Sequence, residues 1–244
     1  MFIFSLKRAK EKYISVLVLL TVAFATLLGT FIIKFTEAAY MESNTEPLKG
    51  IIVLDAGHGG EDSGAIGKNG VLEKDLNLIF SNIIGQMLEE EGFVVVYTRL
   101  EDKLLYKEEE NIKGFRKISD LKNRCAIANS YEDAIFISVH MNSFGQEKYS
   151  GMQVYFSPGD EESSALGLSV QNKVRELVQK DNRRKIKSGD GVYVLENTNC
   201  RAVLIECGFL SNSEECKKLC KKEYQNMLSY AIVCGIIEYV EKNK

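Results

Sequence analysis

The chain has 244 residues, of which 45% are hydrophobic and 27% charged. That balance excludes a disordered polymer and a polytopic membrane protein, and leaves room for one ordinary domain or two small ones. Residues 1 to 40 carry five Lys/Arg and two Asp/Glu, so the formal charge of −3 hides a body with 26 basic and 32 acidic residues, a poor nucleic-acid binder by bulk charge.

Lys7, Arg8, Lys10 and Lys12 precede an uncharged run from Tyr13 to Ile33, which would span about 32 Å as a helix. A cleaved signal peptide has an apolar stretch of roughly 7 to 15 residues, so the length favours a retained membrane anchor over residues 1–40. Ala38 and Ala39 nevertheless offer small residues for cleavage. Basic residues on the N-terminal side place everything after Lys34 outside the cytoplasm. A polar linker over 41–49 then leads into a globular body over 50–244.

In that body, Ile51 to Leu54 reads as a buried strand, followed by a loop with six glycines between Gly57 and Gly70. Leu76, Phe80, Ile83 and Met87 fall at helical spacing, closing near Gly92. Phe93 to Thr98 predicts a strand, Leu121, Cys125 and Ala128 a helix, Ala134 to Val139 a third strand and Gly151 to Phe156 a fourth. A long helix is predicted from about Asp160 to Lys180, and short strands over Val192 to Leu195 and Ala202 to Cys207. Tyr224, Leu228, Ala231, Ile232, Ile236 and Tyr239 mark a final helix. This alternation predicts an α/β fold, a mostly parallel sheet with helices on both faces. An antiparallel strand is expected where a connection is too short for a crossover, as between His140 and Gly151. The six cysteines sit mostly at apolar positions and read as buried thiols.

Only two histidines occur, His58 just after the first strand and His140 at the end of another, so both can converge on one sheet edge. Beside glycines that clear space and near several carboxylates, such a pair points to a metal site lacking a third ligand. The candidates are Asp55, Glu61, Asp62, Glu73 and Asp75. Spacing does not choose among them, although Glu73 has the advantage of a place in the first turn of a helix, where an acid is also favoured by the dipole. Glu206 is embedded in A-V-L-I-E-C-G-F-L, and a carboxylate there demands a partner. A metal-activated water would supply one, making Glu206 a general base; a salt bridge to Arg99 or Arg124 is the alternative.

Nucleotide cradling fails on spacing, since a Walker A motif needs Gly and Ser/Thr where Asp62 and Asn69 stand. Cys207 should face away from Glu206, and Ser138 should lie deeper on the His140 face as support. Asn142 is placed to orient a ligand or cap the strand. Lys103 to Lys122 reads as a charged, loop-like insertion. The five basic residues of Lys180 to Lys187 read as solvated surface that could also meet the carboxylates of a ligand.

The strings L-D-A-G-H-G-G-E-D-S-G-A-I-G with E-K-D-L-N-L, T-R-L-E-D, L-x-x-R-x-x-x-A-N, I-S-V-H-M-N-S and A-V-L-I-E-C-G-F-L-S-N resemble the zinc-dependent N-acetylmuramoyl-L-alanine amidases of the Amidase_3 type, from about Ile51 to Tyr239. The resemblance implies a mixed sheet of about six strands, one Zn2+ per chain held by His58, Glu73 and His140, and Glu206 as catalytic residue. Ala56, where many members have proline, and the N-terminal segment look most like the germination-specific, CwlD-type branch of spore-forming bacteria. That branch implies removal of stem peptides from spore-cortex peptidoglycan before muramic-δ-lactam formation, in an extracytoplasmic, membrane-anchored or secreted setting, with room for an accessory activator protein. A catalytically silent wall-binding protein and a hydrolase of another wall amide are the competing readings.

Overall fold

A computed structural model describes residues 19–34, 49–106, 109, 111–112 and 114–243. The chain divides into Met1–Pro47 and Leu48–Lys244. In the first unit, residues 19–34 form a helix (α1). No helix among the described residues is long and apolar enough to cross a membrane. The basic cluster Lys7 to Lys12, the first residues of the apolar run, Ala38 and Ala39, and nearly all of the expected linker lie outside the described residues.

The second unit follows the order β1 (Ile51–Ala56), a 3-10 turn at Lys68–Gly70, α2 (Glu73–Glu90), β2 (Val94–Tyr97), α3 (Arg116–Asn129), β3 (Ile135–Asn142), β4 (Gln153–Phe156), α4 (Glu161–Leu177), β5 (Lys187–Ser188), α5 (Tyr193–Glu196), β6 (Arg201–Phe209), α6 (Ser213–Leu219) and α7 (Lys222–Lys242). The strands form one sheet in the order β2-β1-β3-β6-β4-β5. All neighbours are parallel except β4 and β6. Central strands such as β1 and β3 are buried along nearly their whole length, as expected of a sheet covered on both faces.

On one face, Leu76, Phe80, Ile84 and Leu88 of α2, Leu166, Val170 and Val174 of α4, and Leu228, Ile232 and Ile236 of α7 pack on alternate strand residues such as Leu54, Ile137, Val154 and Ile205. Helices α4 and α7 cross so closely that a Cβ on Gly235 would lie 2.6 Å from the Val170 Cα. On the other face, Cys125 and Ala128 of α3 and Val194 and Leu195 of α5 cover Val53, Phe136 and Leu204. The result is the expected three-layer αβα arrangement.

Three expectations need correction. Residues 192–195 are not a strand: Gly191 has φ +79°, and the amides of Leu195 and Glu196 bond back to the Val192 carbonyl, closing a helical turn. The β-branched composition there serves packing rather than pairing. The edge strand is instead β5, which begins at the last residue of the basic run. β4 is antiparallel, but its partner is β6, which lies between it and β3. The segment Lys103 to Lys122 is only partly loop, because α3 begins at Arg116. All six cysteines are free thiols.

A buried polar cluster sits on the α3 face below the C-terminal sheet edge. Arg124, 1% exposed, lies 2.6 Å from Asp55 Oδ1 and 2.7 Å from Asp120 Oδ2. Ser138 and Thr98 donate to the two Asp55 oxygens. Burial alone would raise the Asp55 carboxyl, but Arg124 and the two hydroxyls hold it below its ordinary range. Removing one partner from such a cluster leaves a buried charge uncompensated, so Arg124→Ala should destabilise the fold by about 3–5 kcal/mol, read as a lowered denaturant midpoint.

Candidate active site

Parallel strands β1, β3 and β6 end at one sheet edge, and their register sets the site. His140 of β3 pairs directly with Glu206 of β6, and Glu206 pairs on its other side with Gln153 of β4. The same parity puts Cys207 on the opposite face, inside the α2/α4/α7 core, and Ser138 below His140, where it bonds Asp55. The β3–β6 register shifts between His140 and Asn142, so that Asn142 pairs with Phe209 and accepts the Leu210 amide at its carbonyl.

His58 lies one residue beyond Gly57 at the end of β1, in the left-handed region at φ +60°. A non-glycine residue there is costly and must be held by its surroundings. Two arginines hold it. Arg99 donates to the carbonyls of Ala56, Gly57 and Lys74, and Arg124 to those of Ala56 and His58. Farther along the loop, Asp102 accepts from the Gly60 amide and from Lys74, which also bonds the Gly60 carbonyl.

Glu73, at the first position of α2, is where the site closes. Its Oε1 lies 3.2 Å from His58 Nε2 and 2.9 Å from His140 Nδ1, and it accepts from the Met141 amide at 3.1 Å. Its Oε2 accepts from the Ala65 amide at 2.7 Å. Asn77, one turn on, donates to Glu73 and to the Gly57 carbonyl. The three donor groups lie within 4.8 Å of one another, and the two imidazoles meet edge to face at 4.9 Å. Glycine makes this approach possible: a Cβ on Gly57 would fall 2.1 Å from His140 Nε2, and one on Gly64 2.5 Å from Glu73 Oε2.

Of the other acids considered, Asp62 sits behind His58, 2.8 Å from Nδ1, and also meets Lys117. Asp55 is committed to Arg124, Glu61 to Arg116, and Asp75 is exposed. Burial works against a charged His58, yet Asp62 and Glu73 raise its pKa to about 9. Against the opposing pull of burial, His58 holds Asp62, and His140 together with His58 holds Glu73, well below the usual carboxylate range.

Among the described residues Glu206 meets no arginine, since Arg99 and Arg124 are committed to the loop carbonyls and the aspartates. Its Oε2 is buried without a hydrogen-bond partner among the described residues. Burial pushes its pKa up to about 7, with His140 pulling the other way and Glu73 adding to the rise. Sequence reasoning did not anticipate Asp62 as the partner of His58, the roles of Asn77 and the two arginines, or the clamp made by Glu215. Glu215 accepts the Gly151 and Phe209 amides and holds the chain just past Glu206. The signals for Asn77 were its i+4 spacing from Glu73 and its place in a buried helix stripe.

Residues 52–238 match the family described as N-acetylmuramoyl-L-alanine amidase. The chain belongs to that family. It is 35% identical over 235 residues to the germination-specific N-acetylmuramoyl-L-alanine amidase of Bacillus subtilis (strain 168), covering 95% of this chain and 96% of that one. Its fold is similar to the CwlD amidase from Clostridioides difficile in complex with the GerS lipoprotein, with a TM-score of 0.76 and 40% identity over 79% of this chain and 98% of that one. It is also similar to an N-acetylmuramoyl-L-alanine amidase from Clostridium difficile 630, with a TM-score of 0.70 and 28% identity over 82% of this chain and all of the other. The chain is thus an enzyme for the amide between N-acetylmuramic acid and L-alanine in peptidoglycan. For this amidase, Gly57→Ala should push the His140 ring off Glu73 and abolish release of peptide from peptidoglycan, while far-ultraviolet circular dichroism stays that of the parent.

Proposed function

We propose that the chain is a zinc-dependent amidase of the spore-cortex type, with His58, Glu73 and His140 holding the ion and Glu206 acting as general base. The observation that carries this reading is the convergence of two imidazole nitrogens on one carboxylate oxygen beside an orphaned acid. Two imidazoles and one carboxylate are the donor set of a catalytic zinc site with an open position. The nitrogens that face Glu73 carry the lone pairs such a cation would use once they are deprotonated.

Zinc bound there would supply Lewis acidity, lowering the pKa of a water toward about 7 and polarising the scissile carbonyl. The remaining work belongs to the chain. Asp62 accepts the His58 Nδ1 proton, which fixes the tautomer that leaves Nε2 free to ligate. The Ala65 and Met141 amides hold the two Glu73 oxygens in place. Glu206 takes the proton of the attacking water at its carboxylate and delivers it to the departing L-alanine amine, leaving muramic acid with a free lactyl carboxylate. A buried acceptor without a partner costs roughly 1–3 kcal/mol, a cost relieved when a water or substrate N–H fills the position beside Glu206 Oε2.

The germination-specific relative supports a place in spore peptidoglycan, where peptide removal would precede muramic-δ-lactam formation. The lipoprotein-bound neighbour supports an accessory protein for this chain too. The apolar N-terminal run and its basic flank support export with membrane attachment or a cleaved signal.

Glu206→Gln should abolish peptide release while metal analysis still finds about one zinc per chain, because the variant loses the base and keeps all three ligands. Zinc loss in that variant would make Glu206 a ligand. His58→Ala should lower zinc occupancy, and a chelator should stop digestion of peptidoglycan by the parent, restored on adding zinc. Mass spectrometry of the digest should show peptide-free muramic acid; shortened stems would instead indicate a peptidase.

A further inference from the structure

Beyond Glu206, the same sheet edge continues into a groove of about 740 Å³ lined by Lys148, Lys180, Arg183, Arg184 and Lys218 among others. Among the described residues none of these five cations stands in an ion pair with a carboxylate, in a body whose overall charge is negative. Of the acids lining the groove, Glu214 is paired with Lys217 and Glu215 is spent on two backbone amides; only Asp181 faces it uncommitted.

The groove is built rather than incidental. Arg175 donates to the carbonyls of Asn182 and Arg184, and Asn182 donates to the Met152 carbonyl, so the cationic segment is tied to α4 and to the chain entering β4. Arg184 stacks over the Phe209 ring at 4.4 Å and donates to Gln153, the cross-strand neighbour of Glu206. Arg184 thus lines the groove and, through Gln153, is one strand position removed from Glu206. Gly151, in the groove, is two residues from Gln153, a strand distance of about 7 Å, the span of about two extended peptide residues.

We propose that this groove is the subsite for the stem peptide on the leaving-group side of the scissile amide, and that Lys148, Lys180 and Arg183 recognise its free carboxylates. This rests on the amidase reading above. A peptide whose second and third residues carry carboxylates, fixed at the alanine end beside Glu206, brings those charges onto cations whose backbone is already held in place.

The full-length chain carrying Glu206→Gln, which prevents turnover, should bind a labelled muramoyl-tripeptide with free carboxylates about tenfold more tightly than the same ligand with carboxamides. The preference should fall with added salt, vanish on adding Lys180→Glu and Arg183→Glu, and survive Lys180→Arg with Arg183→Lys. Equal binding of the two ligands, binding of neither, or a preference that survives charge reversal would overturn the subsite. So would charge reversal that leaves the preference intact but releases an acidic protein partner. The amidase reading stands or falls separately, on whether the parent enzyme leaves peptide-free muramic acid in digested peptidoglycan.

Discussion

A loop that begins where a parallel strand ends has no ladder to hold it, and here that loop carries a histidine in a left-handed conformation. Two buried guanidinium groups take over the work of the missing ladder. Arg124 and Arg99 between them bond the successive carbonyls of Ala56, Gly57 and His58, and Arg124 is in turn neutralised by Asp55 and Asp120. A buried ion pair of this kind adds little net stability compared with an apolar core of equal volume. Its effect is geometric, because planar forks bonded at several points leave the His58 backbone one position to occupy.

With His58 fixed from below, Glu73 can meet both imidazoles from above. It does so because the first turn of α2 faces the sheet edge and because Gly57 and Gly64 leave no side chains in the way. The β3–β6 register then places Glu206 beside His140 at a position where the strand is buried and where the arginines are already committed. Three converging donors and one acid deprived of a partner are what a hydrolytic metal site requires of its protein. Past Glu206, Glu215 accepts the Phe209 amide and Arg184 stacks on the Phe209 ring, which ties the end of β6 to the cationic segment.

Much of this was legible in the residues. The histidines announce themselves by number and by strand-end placement, and Glu206 by its apolar surroundings. The choice of Glu73 among five acids was not legible from spacing, since it depends on how α2 returns over the sheet edge. The true work of the arginines, offered only as the alternative partners of Glu206, was not legible, because one sequence contains nothing to show that a loop carbonyl needs a donor. The order β3-β6-β4 was equally hidden: local pattern marks strands, but a strand inserted between two earlier ones is fixed by long-range packing. At residues 192–195 a β-branched composition met a chain reversal imposed by Gly191, and the reversal prevailed.

Anomalous diffraction at the zinc absorption edge, from crystals of the zinc-loaded chain, tests the central claim most directly. The account predicts one peak about 2.0–2.2 Å from His58 Nε2, His140 Nδ1 and a Glu73 oxygen, with the Glu206 carboxylate facing it but outside bonding distance. An absence of density at that point, or an ion bonded to Glu206 or Asp62 instead, would contradict it.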